Sequence, residues 1–342
     1  MLSQIISKLE QNKTLSGQDC FNLQKELLSG NFQKNQLIEI FRLLDDTRLD
    51  KDQLLGFIQA SKEKTLAILT KLETLDIVGT GGDGLNTFNI STVTSFVVAS
   101  LGVAVAKHGN KAATSLCGSA DVLQELGANI ELSPAQAQQV LEKTGFVFLF
   151  AKSFNPAFRF VAEARKEYGK KTYFNILGPL LNPASPKFLL LGLSDFSKAR
   201  LMADVLINSG VKKAWIVQSD SGMDEISPFG QTKVLEIGVG SKLQTKFKEF
   251  LILPGEYSFS GFTQQDIQGG DKTTNAEIMT NILQGKGSPA QNATVILNAA
   301  AALTIAGRVE NYQEGIALAQ QSLESSMAWD KFVEFRDLSK LV

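Results

Sequence analysis

Residues 75–121 read LDIVGTGGDGLNTFNISTVTSFVVASLGVAVAKHGNKAATSLCGSAD. Leu75, Ile77 and Val78 form a short apolar run of the kind that makes a buried strand, and the run stops at Gly79. Gly79, Gly81, Gly82 and Gly84 then remove side chains where backbone can come close to a ligand. Asn89, Ser91 and Thr92 favour a helix start, and Val93, Phe96, Val97 and Leu101 follow at helical spacing, so a helix is predicted from near Asn89. Its first N–H groups have no partner within the helix and point into the glycine-rich turn, a setting that favours an anion such as phosphate. A second strand is predicted over Val103–Ala106. It delivers Lys107, His108 and Asn110 to the same sheet edge, because parallel strands joined by a crossover helix end on one side. Ser119 is predicted to cap the next helix, whose Val122, Leu123 and Leu126 face inward.

Outward from this unit, the amino-terminal part carries helical periodicity and little strand signal: Leu23, Leu27 and Leu28, then Leu37, Ile40, Phe41 and Leu44, then Leu54, Leu55 and Ile58. Gly30 is placed as a helix stop, and Asp50 with Gln53 resembles a capping pair. Beyond the central unit, Ser133, Pro134 and Gln136 mark a helix start, Phe146–Phe150 a strand, and Phe160, Val161, Ala164 and Arg165 a further helix. The Arg165 guanidinium has the planar fork that matches a carboxylate. Thr172–Pro183 (TYFNILGPLLNP) reads as a stiff apolar crossing able to wall a small aromatic ligand. Strands are predicted over Leu189–Leu193 and Ala214–Val217, with a helix over Ala199–Ile207 between them. The second of these strands runs into SDSGMDEIS, which places Asp224 and Glu225 in a loop at its carboxyl end. Such a pair, facing an anion-binding turn across a crevice, is where magnesium joined to substrate phosphate is expected. Val234–Ile237 and Phe250–Leu253 read as peripheral strands, and Val295–Ala306 as a buried helix.

Composition narrows the function classes. With 34 Lys+Arg against 35 Asp+Glu the net charge is -1, so no general attraction to nucleic acid or to an anionic membrane is expected. Cys20 and Cys117 stand far apart, which suits a reducing compartment and excludes a cysteine-built zinc site. No targeting segment or membrane span is predicted, and the expected location is the cytoplasm.

The series GTGGD (79–83), TFNIST (87–92), KHGN (107–110), GSADVL (118–123), FNILGPL-NP (174–183) and DEIS (224–227) closely resembles anthranilate phosphoribosyltransferase over nearly the whole chain. The resemblance implies an α/β fold of the nucleoside phosphorylase/phosphoribosyltransferase kind: a small all-helical domain joined by hinge segments to a larger α/β domain with a mostly parallel central sheet. The helical domain is expected to comprise residues 1–70 with about 168–186, and the α/β domain residues 71–167 and 187–342. A homodimer through the helices is implied. So is the reaction of 5-phosphoribosyl 1-diphosphate (PRPP) with anthranilate in tryptophan biosynthesis, which releases diphosphate and uses magnesium, as two ions.

Carried over position by position, the resemblance assigns Gly79, Gly82, Asp83, Thr87, Asn89, Ile90, Ser91, Thr92, Lys107, Ser115 and Ser119 to the donor PRPP. It assigns Gly79, Asn110, Arg165 and Gly178 to anthranilate, and Ser91, Asp224 and Glu225 to the metal. No general acid or base stands out; Lys107 and Arg165 are expected to act electrostatically. The chain departs from the family pattern at Lys111, at Phe154 and Asn155 before Pro156, and at Gln218 and Ser219, and His108 is its only histidine. A phosphoribosyltransferase acting on a substituted anthranilate is therefore one alternative. A nucleoside phosphorylase, which has little use for Asp224 and Glu225, is another, and a non-catalytic nucleic-acid-binding relative, which needs a basic face, is a third.

Overall fold

A computed structural model describes residues 2–44, 49–112, 116–238 and 247–342 of the chain. The first helices are α1 (Leu2–Glu10), α2 (Gly17–Leu27), α3 (Lys34–Leu43) and α4 (Lys51–Lys62). The predicted capping pair opens α4 reciprocally: Gln53 N donates to Asp50 Oδ1 at 2.8 Å and Asp50 N donates to Gln53 Oε1 at 2.9 Å. The periodic residues Leu23, Leu27, Leu37, Ile40, Phe41, Leu54 and Ile58 are all buried.

The α/β part follows as β1 (Leu75–Gly79), α5 (Ile90–Ser100), β2 (Val105–Gly109), α6 (Ser119–Glu125), α7 (Pro134–Thr144) and β3 (Phe146–Phe150). A one-turn helix α8 (Ala151–Phe154), then α9 (Arg159–Tyr168) and a second one-turn helix α10 (Phe174–Leu177), lead to β4 (Phe188–Gly192), α11 (Ala199–Asn208) and β5 (Lys213–Ser219). The chain ends with β6 (Thr232–Gly238), β7 (Phe247–Ile252) and helices α12 (Lys272–Leu283), α13 (Pro289–Ile305), α14 (Tyr312–Glu324) and α15 (Met327–Leu341).

Among the described residues the strands form one seven-stranded sheet in the order β3-β2-β1-β4-β5-β6-β7. Pairs from β3 to β5 are parallel, and β6 and β7 are antiparallel. Alternation along β4 and β5 sends Leu190, Trp215 and Val217 to one face and Leu189, Leu191, Ala214 and Ile216 to the other. Both faces are covered, as a parallel sheet requires. Helices α5, α13 and α15 contribute Phe96, Leu297 and Phe335 to the first core. The second core runs from the sheet through α11 into the amino-terminal helices, so that Leu54, Phe57 and Phe41 belong to the same apolar cluster as Leu191 and Val205. Helix α9 joins this side through Val161 and Ala164, packing on α3. No described helix is long and apolar enough to cross a membrane.

Two expectations are corrected. The second strand lies two residues later than predicted, over Val105–Gly109, because its ladder continues in register with β3 as far as Gly109 opposite Phe150. Lys107 and His108 are thus inside the sheet and buried, not delivered beyond its edge. Ser119 is the first residue of α6 and not its cap. Gly118 takes the cap position, and the Asp121 carboxylate accepts from Gly118 N at 3.0 Å and from Ala112 N at 2.9 Å.

Candidate active site

The strand order reverses between β1 and β4, since the chain builds outward on one side through β2 and β3 and on the other through β5. In an open α/β sheet the crevice beyond the carboxyl ends at that reversal is where ligands bind. Gly79 ends β1 and pairs with Gly192 at the end of β4. Over these two glycines lies the loop that leaves β5. A Cβ built on Gly79 would overlap the Asp224 carboxylate, and one on Gly192 would overlap the Asp224 backbone carbonyl. The loop is tied down on both sides: Ser219 N donates to Met223 O at 3.0 Å, and Asn298 of α13 accepts from Ile226 N at 3.0 Å while donating to Ile226 O at 2.8 Å.

So held, Asp224 Oδ2 accepts a 2.6 Å hydrogen bond from Gly81 N of the glycine-rich turn. Asp83, from that same turn, completes a cluster: carboxylate oxygens of Asp83, Asp224 and Glu225 lie within 4.8 Å of one another. Burial and then the Asp83 charge push the Asp224 carboxyl up to about 6. Burial, then Asp224 and Asp83, hold Glu225 well above the usual carboxylate range. The Glu225 Oε2 atom is buried without a hydrogen-bond partner. A buried oxygen of this kind, beside two further carboxylates, is a strained arrangement for protein alone and a fitting one for a hard divalent cation, which takes oxygen ligands.

Behind the acids stands Lys107, 2% exposed, with Nζ donating to Ile77 O at 2.7 Å and His108 O at 3.3 Å. Burial lowers its pKa, while the charges of Asp76, Glu225 and Asp224 oppose that shift. Asp76, fully buried, accepts from His108 N at 3.1 Å and from Asn182 Nδ2 at 2.7 Å. Burial, with Lys107 nearby, drives the His108 imidazole down to about 4, against a hydrogen bond with the Gly178 backbone, so the ring is neutral at physiological pH. Its Nε2 is buried and unpartnered.

The model for the glycosyl transferase family, a/b domain, matches residues 71–329. Anthranilate phosphoribosyltransferase of Syntrophomonas wolfei is 38% identical over 340 residues, 99% of this chain and 98% of that protein. The enzyme of the same name from Methanobrevibacter smithii is 38% identical over 338 residues, with 98% and 99% covered. The chain belongs to the anthranilate phosphoribosyltransferase family. The crystal structure of the Thermus thermophilus member superposes with a TM-score of 0.89 at 32% identity, covering 98% of this chain and 99% of that one. The Saccharomyces cerevisiae member in complex with PRPP and Mg gives 0.89 at 25% identity, with 99% of each chain covered.

The remaining residues expected from the family resemblance fall into three groups. Near the glycine-rich turn, Thr87 bridges to Gln268, and Asn89 caps α5 with its side chain engaged: Nδ2 donates to Cys117 O and Oδ1 accepts from Asn275, each at 3.1 Å. Ile90 is buried, Ser91 is half-buried in the first turn, and the Thr92 hydroxyl is buried without a partner. Gly82 is exposed with φ +73°. Ser119 donates from Oγ to Asn110 O at 3.3 Å, so these two expected ligands of different substrates touch each other. Ser115 lies outside the described residues. On the helical side, Arg165 is half-buried with its guanidinium 4.8 Å from the Phe174 ring centroid, and it has no ion-pair partner among the described residues. Gly178 follows α10.

Three buried polar residues were missed from sequence. Asp76 interrupts an apolar strand, Asn298 interrupts an alanine-rich helix, and Asn182 sits between leucine and proline. In each case the signal was a polar residue in an apolar run, where burial demands a hydrogen-bond partner.

Proposed function

We propose that the chain transfers the 5-phosphoribosyl group of PRPP to the amine of anthranilate, releasing diphosphate, as a step of tryptophan biosynthesis. The observation that carries this reading is the Asp83–Asp224–Glu225 cluster at the β1/β4 reversal, with its unpartnered Glu225 oxygen under a glycine-rich turn. The yeast family member is described in complex with PRPP and Mg, and another structure of it with 4-fluoroanthranilate, which fits the same assignment.

Magnesium, held by Asp224 and Glu225 with Asp83 and Ser91 and taken here as two ions, would supply positive charge opposite the diphosphate. With Gly81 N taken by Asp224, the N–H groups of Gly82, Asp83 and Gly84 in the turn, and of Ser91 at the start of α5, are left to the donor's phosphate oxygens. Gly79, Gly82, Thr87, Asn89, Thr92, Ser115 and Ser119 shape the donor site, and buried Lys107 biases its potential through the strands. Arg165 receives the acceptor carboxylate in its planar fork, and Asn110 and the Gly178 turn orient the ring so that the amine faces C1 of the ribose. Diphosphate leaves as the amine attacks, through an oxocarbenium-like state resembling that of glycoside cleavage. The arylamine attacks a cation-like carbon and sheds its proton late, so no strong base is called for.

We also infer a helical domain of residues 1–70 with about 168–186 hinged to the remainder, a homodimer through the helices, and a cytoplasmic enzyme. A fluorescence assay with anthranilate, PRPP and magnesium, each omitted in turn, tests the reaction. Turnover is expected with all three present and is lost when any one is omitted. Phosphate-dependent cleavage of a nucleoside in EDTA would instead make the protein a phosphorylase.

A further inference from the structure

Among the described residues, the cation beside the acid cluster stands behind it. Lys107 is buried, and two of its three N–H donors are already engaged with strand carbonyls, so it acts from behind the acids. A polyanionic donor also needs positive charge on the outer side of the glycine-rich turn. A different part of the chain brings one there.

Lys171 lies between α9 and α10. Its backbone is fixed on both sides: Gly169 ends α9 in the left-handed region with φ +67°, and Thr172, Tyr173 and Phe174 are buried. Thr172 N donates to Asn175 Oδ1 at 3.0 Å. The side chain, by contrast, is exposed and runs onto the glycine-rich turn. A Cβ built on Gly82 would stand 3.4 Å from Lys171 Cε and 3.6 Å from its Nζ, so the turn presents a bare glycine to the lysine stem. Lys171 Nζ donates to Ser194 Oγ at 3.4 Å, a long bond. Ser194 in turn is held at the carboxyl end of the sheet by Ser194 N donating to Thr80 Oγ1 at 3.1 Å. Lys171 has no ion-pair partner among the described residues; the lowered carboxyl of nearby Asp195 is held down chiefly by its hydrogen bonds from Ser197, with the charges of Lys198 and then Lys171 adding to them. An ammonium resting on a neutral hydroxyl by one long bond gives it up readily to a phosphate oxygen.

We propose that Lys171 is a donor-binding residue that swings from Ser194 to the phosphate oxygens of PRPP at the mouth of the glycine-rich turn. It is carried on the segment that follows Arg165, so donor and acceptor binding draw on one stretch of chain. The proposal rests on the phosphoribosyl-transfer reading above. A simple solvated lysine accounts for the exposure but not for the anchored backbone or for a stem that passes where a Gly82 side chain would stand.

The test compares Lys171→Met, Lys171→Arg and, as a control, Lys170→Met. Inorganic diphosphate with magnesium is titrated calorimetrically, and KM is measured for each substrate. Lys171→Met is expected to weaken diphosphate binding and raise KM for PRPP about tenfold or more. It leaves kcat and KM for anthranilate within about twofold, the pattern of lost donor binding. Lys171→Arg recovers most of the loss, and Lys170→Met behaves as wild type. Diphosphate and PRPP binding unchanged in Lys171→Met, or Lys171→Arg as weak as Lys171→Met, overturns the proposal. If the wild-type enzyme fails to turn over PRPP and anthranilate, the reaction assignment falls separately, while the diphosphate titration still decides the role of Lys171.

Discussion

Gly192 lies directly under Asp224, so close that a Cβ on the glycine would overlap the aspartate's backbone carbonyl oxygen. Gly79, its partner across the ladder, makes the corresponding contact with the Asp224 side chain. The two contacts differ in how they can be relieved. A carboxylate can rotate about its side-chain bonds, whereas a carbonyl moves only with its loop, and this loop is anchored at Ile226 by Asn298. Gly192→Ala is therefore expected to cost about 1–3 kcal/mol of stability and to displace the acid cluster, removing most activity. Gly79→Ala is expected to keep stability within about 1 kcal/mol and to act mainly by weakening magnesium. Urea midpoints and kcat/KM at several magnesium concentrations separate the two. Equal stability and equal activity in both variants would show that the loop is not seated on these glycines.

The acid cluster also sets a pH signature. The Asp224 carboxyl is raised from 3.8 to about 6, so between these values the native state holds a proton that the unfolded state has released. Stability of the metal-free protein from this group therefore falls as pH rises through about 6, by up to roughly 3 kcal/mol. His108 works in the opposite direction, because its depressed pKa, about 4 against 6.5, costs stability as pH falls through that interval. The bare Tm profile mixes the two, and the increment due to magnesium isolates the acids. Magnesium competes with the proton, so the rise in Tm on adding it should be small at pH 5 and large at pH 8. In Asp224→Asn/Glu225→Gln the increment should vanish at both. An increment independent of pH in the wild type would place the ion elsewhere.

Sequence disclosed the strands and the acids, because each has a local signature: an apolar run, a glycine turn, a loop at a strand's carboxyl end. It misplaced β2 by two residues, since Val103 and Ala104 look as strand-like as Lys107 and His108 do not. A lysine and a histidine in adjacent positions read as surface residues until Asp76, Asn182 and the strand carbonyls supply their partners from segments distant in sequence. The third acid was legible as a residue but not as a member of the cluster. Asp83 joins Asp224 and Glu225 only because the β5 loop folds back across Gly192 and Gly79, a contact encoded by two absences of side chain. Lys171 was invisible for a similar reason: its significance is the identity of the glycine it crosses.

The lone histidine gives a direct spectroscopic check of the buried layer. With the His108 pKa driven down to about 4 by burial and Lys107, its imidazole proton resonance should stay at the neutral position from pH 8 to near 5. An ordinary histidine would titrate near 6.5. Because no other histidine is present, the assignment needs no mutant. In the same experiment kcat/KM should show no inflection attributable to an imidazole near 6.5. A resonance shifting midway around pH 6–7 would mean that the ring is solvated and that the Gly178 turn does not close over it.

Arg165 offers the sharpest test of acceptor recognition, because its partner can be removed from either side. The guanidinium is half-buried against Phe174 and has no carboxylate of its own among the described residues, so its charge is available to a ligand. Arg165→Met keeps the stem and the contact with the ring while deleting the cation. It should raise KM for anthranilate about tenfold or more and leave KM for PRPP within about twofold. Arg165→Lys should fall between, since an ammonium lacks the two-pronged geometry. The decisive comparison is with aniline, which has the amine but not the carboxylate. If Arg165 acts through that carboxylate, wild type and Arg165→Met should use aniline equally poorly, and the penalty of the mutation should disappear with the group it is meant to contact. A penalty that persists on aniline would assign Arg165 to the packing of α9 instead.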